Sequence, residues 1–579
     1  MYYESYFISN FRYLGDGVAK KQSNPIISYD ARIGNVSAEN DYDFLNNCFV
    51  SHRAVSEIMD LESAKMILAG RTGAGKTAIL KHIEEKNRKT SEIIPSDMSM
   101  HYISNSDIIR FLDDIGANLD MFFQTLWKHV LIIEYIKMKY HSNSEPNSTY
   151  LFDKILDFFA SDHKRKIAEQ YIEKWGSVFW ITMDESIRSL TETYERNITA
   201  ELGVDVNKFK TKAGYGQNLS AQQKSEFVAR ARKVIDSGQL AALSSVIEAL
   251  SNGSKETNRG RTYYILIDQL DLNWAEERIR FRLINALIQT LQKFRKIHDL
   301  KIIVALRSDV LERTKQENDE LGFQSEKYKD YISEIRWSTR ELNELLQKRI
   351  NYLFRKKYTK DNVCFDDIFS HEIKRKKSLD YILARTLFRP RDAIAFVNEC
   401  LKEADGASEI TPKHINAAEL AYAVDRKQAL IEEWKSAYPS LASLLSVLEN
   451  RSDVLLFSEF SSKQNMEALA YRIADKDKEA FDPLFVAAEK VAFWTAEQRG
   501  DPYDELARKS LVVLYRVGVV GLKLSSEIPY SYSHLGASSI SESSFKHDTK
   551  IRIHEMLHRS LNIYSGNKNK HQHRSYETS

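Results

Sequence analysis

The sequence predicts an α/β fold. A parallel sheet is built around a phosphate-binding loop, with a large helical insertion, a helical lid and a C-terminal winged-helix-like domain. Three observations predict it. First, the apolar run Met66-Ile67-Leu68-Ala69 leads into Gly70-Arg71-Thr72-Gly73-Ala74-Gly75-Lys76-Thr77, and then into the helical pattern Ala78-Ile79-Leu80-Lys81-His82-Ile83. Second, two further apolar runs, Tyr263-Tyr264-Ile265-Leu266-Ile267 and Ile302-Ile303-Val304-Ala305-Leu306, end at Asp268 and Arg307. Third, long stretches with apolar residues at helical spacing separate and follow these runs.

Residues 70–77 match G-x-x-x-x-G-K-[ST] in full, between a strand and a helix as a P-loop requires. Glycines let the backbone turn its N–H groups inward on phosphate oxygens, and the helix N-terminus adds positive partial charge there. All eight residues, Gly70, Arg71, Thr72, Gly73, Ala74, Gly75, Lys76 and Thr77, are therefore candidate nucleotide contacts. Lys76 is expected to reach the β- and γ-phosphates, and Thr77 to ligate Mg²⁺.

The chain of 579 residues is long enough for roughly three or four domains. With 43% hydrophobic and 28% charged residues it can bury sizeable cores and stay in water, so a soluble cytoplasmic protein is expected. The net charge of +2 makes no whole-chain case for nucleic acid, and any such site must be a local patch. Cys48, Cys364 and Cys400 lack C-x-x-C spacing, which argues against a zinc site or a disulfide framework. No leader peptide and no membrane span is read; the apolar stretch 130–136 is broken by Glu134 and flanked by Lys128 and Lys137.

In chain order, residues 1–50 read as an N-terminal extension, and 51–340 as the P-loop NTPase core. A helix over 50–63 carries Arg53, most simply a solvated charge. Residues 99–103 read as a second strand. From 105 to 140 the pattern is helical, with Leu119, Phe122, Phe123, Leu126, Trp127, Val130 and Leu131 on one face; these and His129 read as core. Residues 141–260 read as a mostly helical insertion, with helical segments at 151–159 and 227–242 and a hairpin over 201–216.

The run ending in Asp268 is a buried parallel strand delivering a carboxylate, the Walker B arrangement, with Asp268 expected to orient Mg²⁺. The next residue, where a water-positioning carboxylate is common, is Gln269, which can orient water but cannot accept its proton. Asp271 is the nearest alternative carboxylate, either catalytic or the N-cap of a helix over 273–295. Arg307 is positioned either to sense a γ-phosphate or to pair with Asp309 or with the Walker B edge. Arg313 is a weaker candidate for reaching a neighbouring subunit.

Residues 341–424 read as the lid, whose first helix Ser338 caps. Within it, Thr386-Leu387-Phe388-Arg389-Pro390-Arg391-Asp392 opens a further helix. Arg389 and Arg391 either contact phosphate or pair with Asp392 or Glu399. Residues 425–480 read as a helical connector and 481–565 as the winged-helix-like domain. Its helix over 506–515 is followed by strands at 519–523 and 529–533, with a return to helix from 550. Arg508, Lys509 and Arg516 are the cations of the helix before the wing, a modest set for DNA, so protein docking stands beside it. The tail 566–579 reads as disordered, and His571 and His573 alone make no metal site.

GRTGAGKT, LIDQLD, ALRSD, RPRD and the terminal winged helix together resemble the AAA+/STAND superfamily of P-loop ATPases, and within it the KAP-like bacterial group common in antiviral and conflict systems. The resemblance spans residues 50–565, with Gln269 departing from the usual Walker B ending. It implies an ATP-binding and -hydrolysing switch with ATP and Mg²⁺ between core and lid, and it favours phosphate contact by Arg389 or Arg391. It also implies a homo-oligomer and a separately encoded effector protein, in antiviral defence; the sequence shows no transmembrane insertion of the kind some KAP-like members carry, so no membrane is expected. The alternative is a DNA-binding ATPase of replication-initiator or transposition type. On either reading Lys76, Asp268, Gln269, Asp271 and Arg307 are the expected catalytic set, with Thr77 and Asp268 on the metal.

Overall fold

The computed structural model describes residues 26–97, 109, 119–140, 163–176, 237–251, 262–272, 274–318, 328–474, 482–493, 501–536 and 540–565. The expected strand at 99–103, the segment 151–159, the hairpin at 201–216 and the tail 566–579 lie outside the described residues.

Five parallel strands form the central sheet: β1 (Ile67–Gly70), β2 (Thr90–Ile93), β3 (Tyr263–Ile267), β4 (Leu300–Arg307) and β5 (Ile332–Glu334), in the order β2-β3-β4-β1-β5. Both faces are covered, so β1 and β3 are buried along their whole length and β4 over all but its last residue. Alternate side chains still go to opposite layers. Ile67, Ala69, Ile265, Ile267, Ile302 and Val304 pack with the helices Asp120–Tyr140 and Glu277–Phe294. Leu68, Tyr264, Leu266, Ile303 and Ala305 pack with Arg53–Met59 and Lys76–Lys86. β2, reading Thr-Ser-Glu-Ile, is an edge strand with one buried residue; its polar sequence hid it behind the more apolar run at 99–103.

The strand order decides where chemistry can occur. Gly70 lies opposite Arg307 in the β1–β4 register, and Ile267 opposite Val304 in the β3–β4 register. The 70–77 loop, Arg307 and Asp268 therefore emerge along one carboxyl edge of the sheet, where open α/β sheets place their crevice.

Another core runs from Ile27 and Ile33 through the helices after β5 to Leu561. The helix Thr339–Lys357 starts with a capping box, Ser338 accepting from the Glu341 amide at 3.2 Å and Glu341 from the Ser338 amide at 2.8 Å. Pro390 opens Pro390–Glu403 at its first turn. The N-terminal segment belongs to this layer: Asp41 pairs with Arg349 at 2.6 Å, both buried, and the Ile33 amide bonds Asn398 at 2.9 Å.

The part after β5 differs from expectation in four places. β6 (Glu372–Ile373) and β7 (Lys376–Lys377) form a small hairpin in the lid layer; beyond them β8 (Val454–Leu456) lies inside the stretch read as wholly helical. β9 (Val520–Lys523) is present as expected, but Lys550–Ile553 is a strand, β10, and not a helix start. It sits between β8 and β9, and its Lys-Ile-Arg-Ile alternation buries Ile551 and Ile553 while exposing the cations. Residues 529–533 make only one bridge, between Ser531 and Leu522. The helix Pro502–Val517 is capped by Asp501 and ends at Gly518 with φ 91°.

Candidate functional site

The 70–77 loop needs its glycines. Gly73 has φ 77°, and a Cβ there would lie 2.5 Å from Arg391; Gly75 has φ 98° and caps the helix Lys76–Lys86. Trp337 buttresses the loop from below, its indole donating to the Ala74 carbonyl at 2.8 Å.

Lys76 is buried at the first helical turn and donates to the Gly70 and Arg71 carbonyls at 3.0 and 3.1 Å. Burial pushes its ammonium down to about 8, with Asp268 the nearest opposing charge. The Thr77 hydroxyl donates to Asp268 Oδ2 at 2.9 Å, and the Gln269 amide to Oδ1 at 2.8 Å. Burial raises the Asp268 carboxyl despite those bonds. Gln269 stands at φ 60°, an uncommon conformation for a residue with a side chain.

A cleft of about 420 Å³ lies over the loop, and Lys76, Thr77, Asp268, Gln269, Asp271, Arg307 and Arg391 all line it. Its far wall comes from Asn35, Val36, Glu39 and Asp41 of the N-terminal segment, which the sequence left without a role. Arg391 is held there, its Nε donating to the Val36 carbonyl at 3.0 Å and its amide to the Gly73 carbonyl at 3.3 Å.

Arg307 is fully engaged. It donates to Asp271 at 2.8 Å, to Asp309 at 2.9 and 2.7 Å, and to the Glu433 carbonyl at 2.7 Å. Asp271 does not cap a helix; the following helix begins at Glu277 with Glu276 at its N-cap. Arg389 lies buried beneath the loop and donates to Asp392 at 2.8 Å, to the Thr72 carbonyl at 2.9 Å and to Glu433 at 2.7 Å. Glu433 was not legible in the sequence. It ends the helix Pro412–Trp434, far from any motif, and accepts from the Thr72 amide at 3.1 Å. Burial would raise its carboxyl, but Arg389 and Arg71 outweigh that and hold it below the usual range.

Arg71 points away from the cleft. It donates to the Val517 and Arg516 carbonyls at 2.7 and 2.9 Å and to Ser533 Oγ at 3.1 Å, with its guanidinium 5.9 Å from the Trp434 ring. A second cavity, about 360 Å³, lies on this side among Arg71, Trp337, Phe388, Trp434, Tyr515 and His534.

Other candidates fall elsewhere. Arg313 is buried against Phe281, so it is not presented to a neighbouring copy. Arg53 pairs with Glu57 on an exposed helix face, and His129 is a core residue bonded to Tyr171 at 2.8 Å. Arg508 bonds Asp504 and the carbonyls of Glu542 and Phe545, Lys509 lies 3.7 Å from Glu505, and Arg516 binds Glu312 at 2.7 Å. Among the described residues no helix is long and apolar enough to cross a membrane.

The arrangement fits a polyphosphate with a divalent cation. Thr72 Oγ1 is buried at the loop without a partner, and the Thr77 hydroxyl and Asp268 carboxylate supply a hard oxygen pair beside it.

Comparison with known proteins bears on the helical layer after β5. Residues 340–431 match the FunZ-associated C-terminal helical domain, a span that contains Arg389 and Arg391 and stops just short of Glu433. The chain is also similar to a protein of Escherichia coli (strain K12) described as a transposon gamma-delta 80.3 kDa protein, with 21% identity over 556 residues, covering 93% of this chain and 68% of that relative.

Proposed function

We propose that this chain is an ATP-binding and -hydrolysing switch of P-loop type, which assembles with copies of itself in the cytoplasm and controls a separately encoded effector in bacterial defence. The observation that carries the nucleotide reading is the convergence of Lys76, the Thr77–Asp268 pair and the partnerless Thr72 hydroxyl on one loop. The Walker motifs, 192 residues apart in the chain between Lys76 and Asp268, meet at one edge of the sheet.

Lys76 holds a positive charge at the loop, and loop amides such as that of Thr72 orient the phosphates. Thr77 and Asp268 would hold Mg²⁺, which when bound neutralises charge on the phosphate oxygens. Gln269 can orient an attacking water but cannot take its proton. Asp271 is held by Arg307 at 2.8 Å, so its carboxylate is free to meet a water only when that bond opens. Turnover is therefore slow until the Arg307 cluster rearranges. Arg391 reaches the phosphates from the lid once it leaves Val36.

The likeness to a transposon protein over most of the chain favours a second reading, a DNA-acting ATPase of transposition type. Binding of duplex DNA that falls steeply with salt and is lost on changing Arg508 and Lys509 would put that reading first.

The test is turnover by wild type, Lys76→Ala and Asp271→Ala. Wild type should turn over ATP, Lys76→Ala should lose it by at least about 100-fold, and Asp271→Ala should be strongly impaired. A wild type no faster than Lys76→Ala is a nucleotide binder and not an enzyme.

A further inference from the structure

Among the described residues, Glu433 is a carboxylate from outside the motifs that bonds the 70–77 loop directly. It is 6% exposed, takes the Thr72 amide and shares Arg389 with the Thr72 carbonyl, so the loop and the end of the helix Pro412–Trp434 are tied through one anion. The backbone carbonyl of the same residue takes Arg307. One residue thus engages a loop amide and two of the arginines otherwise suited to phosphate. Its negative charge is set among Arg389, Arg71 and Arg307, cations of the kind a polyphosphate draws.

We infer that Glu433 is an internal stand-in for phosphate, and that the polyphosphate of a nucleoside triphosphate must displace its carboxylate from the Thr72 amide to bind in full. This rests on the nucleotide reading above. Displacement would free Arg389 and Arg307 for the ligand and detach the 430–438 stretch from the loop. Glu433 then sets affinity: the fraction of molecules with the loop unlatched multiplies the intrinsic binding constant. It also links occupancy to the C-terminal part, because the adjoining Trp434 lies under Arg71, which holds Arg516 and Val517.

Glu433→Gln retains the shape and the hydrogen-bonding oxygen but removes the charge. It should bind ATP at least about tenfold more tightly than wild type, whereas Lys76→Ala should not bind in either background. In the wild type, ATP should increase amide hydrogen exchange over residues 430–438. Equal or weaker ATP binding by folded Glu433→Gln overturns the inference and leaves the nucleotide reading standing. If Glu433→Gln does not fold, the wild-type exchange decides: increased exchange supports the displacement, and unchanged exchange overturns it. Absence of ATP binding by wild type and Glu433→Gln alike removes the nucleotide reading, and this inference with it.

Discussion

On the proposed nucleotide reading, Lys76 carries two properties in tension: it must be charged to hold phosphate, yet its burial pushes its ammonium down to about 8. Phosphate restores the charged form, so binding takes up a proton above that pH. ATP affinity should therefore be level at neutral pH and fall by up to about tenfold per pH unit above about 8, as titration of Kd from pH 7 to 9.5 would reveal. A level profile would mean that Lys76 does not contact the ligand. His554 has the same origin and a different consequence. Burial pushes it down to about 4 from an ordinary 6.5, so it folds neutral while the unfolded chain takes up a proton. Stability should fall on acidification below pH 6.5, by about 1.4 kcal/mol per pH unit for this imidazole, and His554→Gln should flatten that slope in denaturant titrations. At this scale the sequence pointed to Lys76, Thr77 and Asp268, which the fold brings together, because their motifs are defined by spacing along the chain. It hid Glu433 and the direction of Arg71, because both depend on which distant helix packs against the loop.

Among the elements, the helix Thr339–Lys357 is the pivot between the N-terminal segment and the lid layer. Its capping box was readable from Ser338 and Glu341 alone, since capping is local. Ser338→Ala should cost about 1 kcal/mol in thermal or urea unfolding and leave ATP affinity unchanged. The Asp41–Arg349 pair was not readable, because its partners are 308 residues apart in the chain and neither belongs to a pattern. Asp41→Ala strands a buried guanidinium and should cost about 3–5 kcal/mol, with residues 33–41 losing exchange protection. A loss under 1 kcal/mol would mean that water reaches the pair. The strands tell the same story. β1, β3 and the 302–306 stretch of β4 are continuous apolar runs and stood out, whereas polar β2 and the three-residue β8, Val-Leu-Leu, are fixed by the neighbouring strand that supplies their hydrogen bonds.

Over the whole molecule, Arg71 joins the phosphate loop to the C-terminal end of the helix Pro502–Val517. A cation on the last carbonyls of a helix is favourably placed. A change in the loop is therefore felt in the C-terminal part without a long relay. Arg71→Leu removes three hydrogen bonds and should raise hydrogen exchange over 514–520 and 533–536, while ATP still binds. Unchanged exchange would show that the two parts are held together without it. The cations of the same helix are engaged internally, which is why the sequence, seeing only their charge, left DNA contact and protein docking open.

The most direct measurement is equilibrium binding of ATP with Mg²⁺ by calorimetry to wild type and Lys76→Ala. The account predicts saturable one-site binding to wild type, weakened at least about 100-fold in the variant. Equal binding by the two proteins, or none by wild type, would contradict it.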